Sequence, residues 1–333
     1  MEVTGTSEVF GLEHDADVGN VRRRFATLAQ AAGLDESRTG DAALIATEAS
    51  TNVLKHAQHG GALIAPITRG GSSGVALVAW DRGPGMNVEA CLRDGMSTAG
   101  TAGAGLGAIS RLASRWDAYS RRGQGTVVTA TVFAHEPVSP ARFAVGGVCV
   151  PYPGMTRSGD AWAMHVEGDV TSVIVVDGLG HGDGAAEAAA AVIASFRTRP
   201  LDAPGDILMR ADQAARPTRG AGATVARVDG REQTCVVAGV GNVQPWLIGE
   251  SQRQLVTQHG TLGQATPKLR DERYPFPAGT TLVIHSDGLK SRWNLGAHPG
   301  LLACAPYTIA ATLWRDFGRG RDDAIVVVLR EGP

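Results

Sequence analysis

The sequence predicts an α/β (α+β) chain of two consecutive units, each built from antiparallel sheet and covering helices. Three observations carry this. Apolar strand candidates come in pairs joined by short glycine-bearing turns, as at 69–74 and 168–169. Helical stretches flank these hairpins instead of following every strand, which favours layered antiparallel sheets over parallel crossovers. A length of 333 residues suits two domains, and the segment HEPVSPA at 135–141 places two prolines where the pattern changes.

Composition narrows the functional classes. Hydrophobic residues make up 43% and charged residues 19%, enough for a sizeable core. A net charge of -2 supplies no broad basic field, so a nucleic-acid partner is not expected. The four cysteines are far apart without a C-x-x-C pair, which argues against zinc and disulfides and fits a reducing cytoplasm. The acidic N-terminus lacks the apolar core of a signal peptide, and no apolar run reaches the ~18 residues of a membrane span.

In the first unit, residues 8–13 are an opening strand candidate and 18–32 a helix, with Arg22, Arg23 and Arg24 on a solvated face. Asp35 is a good N-cap for a long helix reaching about residue 58. On that helix Glu48 and Asn52, four apart, share one face beside Lys55. Strand candidates at 62–68 and 75–80 follow, the second running into Asp81-Arg82-Gly83-Pro84-Gly85. Such an aspartate either makes simple turn bonds or reaches a flat polar ligand over the sheet. After a Ser/Thr/Gly-rich loop at 96–104, Gly103, Gly105 and Gly107 open a helix ending near residue 115. Free N–H groups and the helix dipole make such a start an anion cradle. Strands at 116–121 and 126–134 close the unit.

Gly103-x-Gly105-x-x-Ala108 formally fits a dinucleotide fingerprint, but a polar loop stands where that motif needs an apolar strand. No P-loop string occurs. The ordered set Glu48/Asn52, D-x-G-P-G, G-x-G-x-G and Gly125-Thr126 resembles the GHKL (histidine-kinase-like) ATPases, specifically the small bacterial anti-sigma-factor and switch-protein serine kinases. The resemblance spans about residues 8–135 and implies a GHKL α/β sandwich over a domain at 1–136. It implies ATP as ligand, its Mg²⁺ on Asn52, and Glu48 as base toward a protein serine. It further implies that Asp81 accepts from the adenine amino group with Thr126 in support, and that Gly83 and Gly85 shape the pocket. Gly103, Gly105 and Gly107 would line the phosphates under a mobile lid.

The second unit opens with a strand at 143–151 and is organised around SGDAWAMHVEGDVTSVIVVDGLGHG at 158–182. Alternation over 160–167 and an apolar run over 171–176 read as a hairpin turning at Gly168-Asp169. That register puts Asp160 directly opposite Asp177, with Cβ atoms roughly 4.5–5.5 Å apart. Facing like charges destabilise a ladder. Either the two aspartates sit in water at the strand ends, or a hard divalent cation stands between them. Gly178 would let a backbone carbonyl approach such an ion, ahead of a helix at 183–196. Further elements are a helix at 206–215, strands at 222–229, 234–239, 246–248 and 281–285, and a helix at 307–317. Asp287 follows an apolar strand and Asp322-Asp323 precede another, so four acidic positions stand at strand ends; His181 and His285 are structural neighbours.

SGD-x-W, VVDGLGHG, SDGL and RDDA-I-VVV resemble the PPM-type (metal-dependent) protein serine/threonine phosphatases in their bacterial SpoIIE-like branch. The likeness covers about 143–331 and implies an α-β-β-α sandwich. It implies two Mg²⁺ or Mn²⁺ ions held by the catalytic carboxylates of Asp160, Asp177, Asp287 and Asp322 and by the Gly178 carbonyl, with Asp323 ligating or orienting. Ile325 stands where that family often carries Thr, so a small polar contact behind the metals is not supplied there.

Together the resemblances imply a cytoplasmic bacterial phosphatase that hydrolyses phosphoserine or phosphothreonine. Its substrates would be small antagonist or switch proteins of a sigma-factor pathway, with a kinase-like module opposing the hydrolysis. The alternative is a non-enzymatic, ATP-sensing, partner-binding switch with degenerate catalytic halves.

Overall fold

The computed structural model of the chain describes residues 3–56, 59–92, 105–138, 142–266 and 268–332. The chain divides into two compact units, Ser7–Val138 and a second that joins Ser139–Pro333 with Met1–Thr6. The short strand β1 (Val3–Thr4) therefore groups with the C-terminal unit.

In the N-terminal unit the order is β2 (Glu8–Gly11), α1 (Asp15–Ala31), α2 (Glu36–His56), β3 (Gly60–Arg69), β4 (Ser72–Asp81), α3 (Val88–Leu92), α4 (Gly105–Leu112), β5 (Arg115–Arg121) and β6 (Gly125–Phe133). Its strands lie side by side as β2–β3–β4–β6–β5, every neighbour antiparallel. Phe25, Ile45 and Ile109 of the helices pack on Ile64, Leu77 and Val132 of one sheet face. Asp35 does cap α2, its Oδ1 accepting the Arg38 N–H at 2.7 Å. Arg38 then reaches across to donate to the Leu112 carbonyl (3.1 Å) and Ser114 Oγ (2.6 Å). This ties the start of α2 to the end of α4, three residues short of where the sequence ends that helix. The three arginines of α1 are exposed, and Arg24 forks onto Glu8 (2.7 Å), joining α1 to β2.

The C-terminal unit contains β7 (Phe143–Val150), β8 (Asp160–Glu167), β9 (Val170–Gly178), α5 (Asp183–Thr198), α6 (Pro204–Ala215), β10 (Ala221–Asp229), β11 (Thr234–Val240), β12 (Gln244–Ile248), β13 (Gln252–Gln254), β14 (Glu272–Pro275), β15 (Thr281–His285), α7 (Pro306–Phe317) and β16 (Ala324–Glu331). Two antiparallel sheets form, ordered β14–β11–β10–β9–β8 and β13–β12–β15–β16–β7. Alternation drives their stacking. Trp162, Val173 and Val175 of one sheet meet Val145, Ile284 and Val327 of the other in a shared core. The opposite parity of the first sheet, Ile174 and Val176, packs beneath Val192, Phe196 and Leu208 of α5 and α6. With α7 against β7 and β16, the layering is α-β-β-α. The edge strands β13 and β14 and the short α3 have no counterpart in the sequence reading.

Candidate functional site

The β8–β9 hairpin turns at Gly168-Asp169, and Asp160 pairs with Asp177. Asp160 is buried at 3% exposure. Its Oδ2 accepts from Ser286 Oγ at 2.7 Å, while Oδ1 is buried without a hydrogen-bond donor among the described residues. Burial, followed by the charge of Asp177, holds the Asp160 carboxyl well above the usual carboxylate range. Burial and the charges of Asp287 and Asp322 push Asp177 up to about 7. Asp322 is raised by burial and by Asp287. The carboxylates from β8, β9, the end of β15 and the start of β16 thus share one field, although their sequence positions span most of the unit.

Second contacts fix these groups. Asn242 Nδ2 donates to Asp287 Oδ2 at 2.8 Å. The Tyr152 N–H donates to Asp323 Oδ1 at 2.7 Å, leaving the buried Oδ2 of Asp323 without a partner among the described residues. Ser286 Oγ, besides serving Asp160, accepts the Ile325 N–H at 3.1 Å. The polar contact that an Ile at 325 cannot make through its side chain is therefore supplied by a serine one residue before Asp287. His285 is buried and neutral in character, its pKa lowered to about 4 by burial. Its Nε2 accepts from the indoles of Trp246 (3.2 Å) and Trp293 (3.0 Å), so Nδ1 carries the proton donated to the Ser286 carbonyl at 2.7 Å. His181 stacks on Tyr152 with ring centroids 4.6 Å apart. Neither histidine is presented as a ligand.

Gly178 is required by space. A Cβ there would stand 2.1 Å from the Ala185 carbonyl oxygen and 2.9 Å from that of Gly159. Among the described residues no three His, Cys, Asp or Glu side chains already close on a single metal-holding point. Hard cations nevertheless suit this donor set. It offers mutually repelling carboxylates, an unpartnered buried oxygen and a side-chain-free carbonyl, and such ions complete their shells with water.

In the N-terminal unit, β4 and β6 pair at Trp80–Val127, so Asp81 stands beside Thr126. Val75, Leu77 and Ala79 of β4 and Val128, Ala130 and Val132 of β6 all face the helices. Strand alternation turns Asp81 and Thr126 the same way. Asp81 Oδ1 accepts the Gly83 N–H at 2.7 Å, shaping the turn that leads to Gly85 (φ 73°). Gly125 must lack a side chain, since a Cβ would lie 2.1 Å from the Asp81 carbonyl oxygen. Ser120, absent from the sequence reading, accepts from the Met86 N–H (2.8 Å) and bonds Thr126 Oγ1 (2.9 Å). It joins the D-x-G-P-G turn to Thr126. On α2, Asn52 comes within 3.5 Å of the position a Gly105 Cβ would take, so the first turn of α4 meets the Asn52 amide. Glu48 is half-buried one turn earlier on α2, and Gly107 is buried in α4. Gly103 and the expected lid over 96–104 lie outside the described residues.

Fold and site define a two-part chain, a histidine kinase-like ATPase-type layer preceding, in sequence, a PP2C-type sandwich. A histidine kinase-like ATPase domain model matches residues 13–132, and a stage II sporulation protein E (SpoIIE) model matches 167–331. The chain is 34% identical over 96 residues to the serine/threonine-protein kinase RsbT of Bacillus subtilis (strain 168), covering 28% of this chain and 72% of that protein. It is 29% identical over 139 residues to the phosphoserine phosphatase RsbX of the same organism, covering 41% of this chain and 69% of that one. Among solved structures, a chain from work on the bacterial stressosome as a modular system adapted to control secondary messenger signaling aligns with a TM-score of 0.53 and 30% identity. That match covers 56% of this chain and 99% of that one. RsbX in complex with magnesium aligns with a TM-score of 0.51 at 20% identity, covering 59% and 98%, a likeness of fold. The chain carries a histidine kinase-like ATPase domain in its N-terminal unit and a SpoIIE (PP2C-like) domain in its C-terminal unit. No helix among the described residues is long and apolar enough to cross a membrane.

Proposed function

We propose that the C-terminal unit is a metal-dependent phosphatase acting on phosphoserine or phosphothreonine of a small antagonist or switch protein in a partner-switching, sigma-factor pathway. We further propose that the N-terminal unit binds Mg·ATP and is equipped for the opposing serine phosphorylation. The observation that carries the first reading is the pairing of buried Asp160 with half-buried Asp177, with one Asp160 oxygen unpartnered and the neighbouring carboxylates adding charge. Such a cluster is costly unless cations offset it.

Asp160, Asp177, Asp287, Asp322 and the Gly178 carbonyl would hold two Mg²⁺ or Mn²⁺ ions. Ions of this kind supply neutralisation of phosphoryl charge and activation of water. The chain's own residues do the positioning. Ser286 orients the Asp160 carboxylate through Oδ2, so that the unpartnered Oδ1 would be available to a cation. Asn242 fixes Asp287. Asp323 is turned by the Tyr152 N–H so that one oxygen faces inward. In the other unit, Asn52 would hold the Mg²⁺ of ATP, and Asp81 with Thr126 would receive the adenine edge. Gly105 and Gly107 would approach the phosphates at the α4 N-terminus, and Glu48 would act as base.

The test uses the full chain with Mn²⁺ and an aryl phosphate or a phosphoserine peptide. Metal-dependent phosphate release at neutral pH is expected, and its absence on both substrates defeats the phosphatase reading. With γ-labelled ATP, Asp177→Asn should accumulate label on a co-purified small partner protein, and adding Glu48→Ala should remove it. If no label reaches any partner, the N-terminal unit is an ATP-sensing or docking domain only.

A further inference from the structure

The loops that carry two of the site's carboxylates are otherwise basic. Asp287 leads into Lys290 and Arg292, while Arg319 and Arg321 lead into Asp322. Backbone bonds zip the two loops together, the Lys290 N–H donating to the Phe317 carbonyl (2.9 Å) and the Arg319 N–H to that of Gly288 (2.8 Å). Lys290, Ser291, Arg292, Arg319 and Arg321 consequently line one open depression of about 570 Å³. All four basic side chains are exposed, and none forms an ion pair among the described residues. Arg319 is anchored, its Nε donating to the Leu289 carbonyl at 3.0 Å.

The adjacent carboxylates form no ion pair with these cations among the described residues. Asp322 Oδ1 is taken by the Asp323 N–H (3.0 Å), and Asp287 is held by Asn242. The carboxylates thus stand at the strand ends, and the exposed basic side chains stand on the loops beside them. Cations crowded into one depression repel one another, and a multiply charged anion relieves that repulsion. Guanidinium forks match carboxylates in particular.

We propose that this depression docks an acidic protein segment flanking the phosphorylated residue. The inference rests on the phosphatase reading, because the two loops that line the depression also carry Asp287 and Asp322, and the phosphoryl group itself would belong to that site. Further negative charge on the same substrate is what the depression is placed to meet. The lining contains no aromatic side chain to stack a base and no apolar side chain to enter a lipid surface. Those features favour an acidic peptide over single-stranded nucleic acid or membrane.

The experiment compares two phosphoserine peptides on the full chain with Mn²⁺, one flanked by glutamates and one by glutamines. The glutamate peptide should show a kcat/KM about tenfold higher, with the advantage shrinking as salt rises. Lys290→Ala combined with Arg292→Ala should bring the ratio near unity, and Lys290→Gln alone should give an intermediate value. Arg197→Ala combined with Arg231→Ala removes the same charge from outside the depression and should keep the ratio. Equal kcat/KM for the two peptides in the wild type, with the aryl phosphate hydrolysed, overturns the docking surface and leaves the phosphatase standing. If no substrate is hydrolysed the phosphatase reading falls, and anisotropy titrations of the same labelled peptides decide docking, equal affinities overturning it. Binding of phosphatidylserine vesicles or an RNA oligonucleotide that depends on Lys290 and Arg292, without discrimination between the peptides, also overturns it.

Discussion

The two candidate sites differ in where their energy is stored. The phosphatase-like site concentrates charge. Four carboxylates stand at strand ends; burial and the charge of Asp177 hold Asp160 above the normal carboxylate range, and burial with the charges of Asp287 and Asp322 does the same for Asp177. The nucleotide-like site is built from an amide, a turn-making aspartate, a hydroxyl pair and glycines that clear space. The first site is under tension that a cation would remove, whereas the second is a shape with hydrogen-bonding edges that carries no such charge to compensate. A strained site should therefore respond to metal and pH, and a shaped one to its nucleotide alone.

The largest expected effect is on turnover. Asp177→Asn should lower Mn²⁺-dependent phosphate release on the order of 10³-fold or more, since a carboxylate in the centre of the cluster is lost. The same variant should melt no lower than the wild type in chelator, because it also removes a charge repelled by Asp287 and Asp322. Near-wild-type turnover would refute the assignment, and a marked loss of metal-free stability would refute the tension.

The tension also fixes a pH dependence. Asp177 has a folded pKa of about 7 against 3.8 for the free side chain. A carboxyl raised in this way contributes stability that is fully present below pH 3.8 and is lost as pH climbs through 7. In chelator, the C-terminal unit should therefore lose a few kcal/mol of stability between about pH 4 and pH 7. Added Mn²⁺ should abolish that slope, raising the melting temperature more at pH 7 than at pH 5. A metal-free melting temperature that is flat or rises over that interval would contradict this.

What the sequence made legible follows the same division. The hairpin register came directly from alternation and a two-residue turn, and with it the facing of Asp160 and Asp177. Local periodicity cannot report groups that arrive through tertiary folding. Ser286 reaches Asp160 across 126 positions, Asn242 reaches Asp287 across 45, and Tyr152 reaches Asp323 across 171. In the N-terminal unit Asp81 and Thr126 meet because β4 and β6 are neighbours. That adjacency skips β5 in sequence, so only the ordered motif set hinted at it. The edge strands β13 and β14 are three and four residues long, too short for a period to register.

A smaller effect is expected from nucleotide. Mg·ATP at 100 times its Kd should stabilise the N-terminal unit of the full chain by about 2.7 kcal/mol. Asn52→Ala or Asp81→Ala should remove most of that shift and leave the response to Mn²⁺ in the other unit unchanged. A melting profile unmoved by saturating Mg·ATP would sink the nucleotide reading, and an Asn52 variant that lost its Mn²⁺ response would blur the division between the sites.

The smallest and most specific effect concerns Ser286. Its hydroxyl donates to Asp160 Oδ2 and accepts the Ile325 N–H, so it links β8 to β16 beside the clustered carboxylates. Ser286→Ala deletes both bonds, leaving Asp160 with no described side-chain donor and the buried Ile325 N–H without this acceptor. Loss of a buried hydrogen bond with an unsatisfied partner costs about 1–3 kcal/mol, and orienting contacts behind metal ligands are worth about 10–100-fold in metal affinity. The Mn²⁺ concentration for half-maximal activity should rise about tenfold, while turnover at saturating Mn²⁺ falls much less. Ser286→Thr, which keeps the hydroxyl, should recover most of the metal affinity if the neighbouring core admits its methyl group. A turnover loss at saturating metal as large as that of Asp177→Asn would instead place Ser286 among the groups that meet the phosphoryl, and equal metal affinity in Ser286→Ala would show that Asp160 needs no orienting partner.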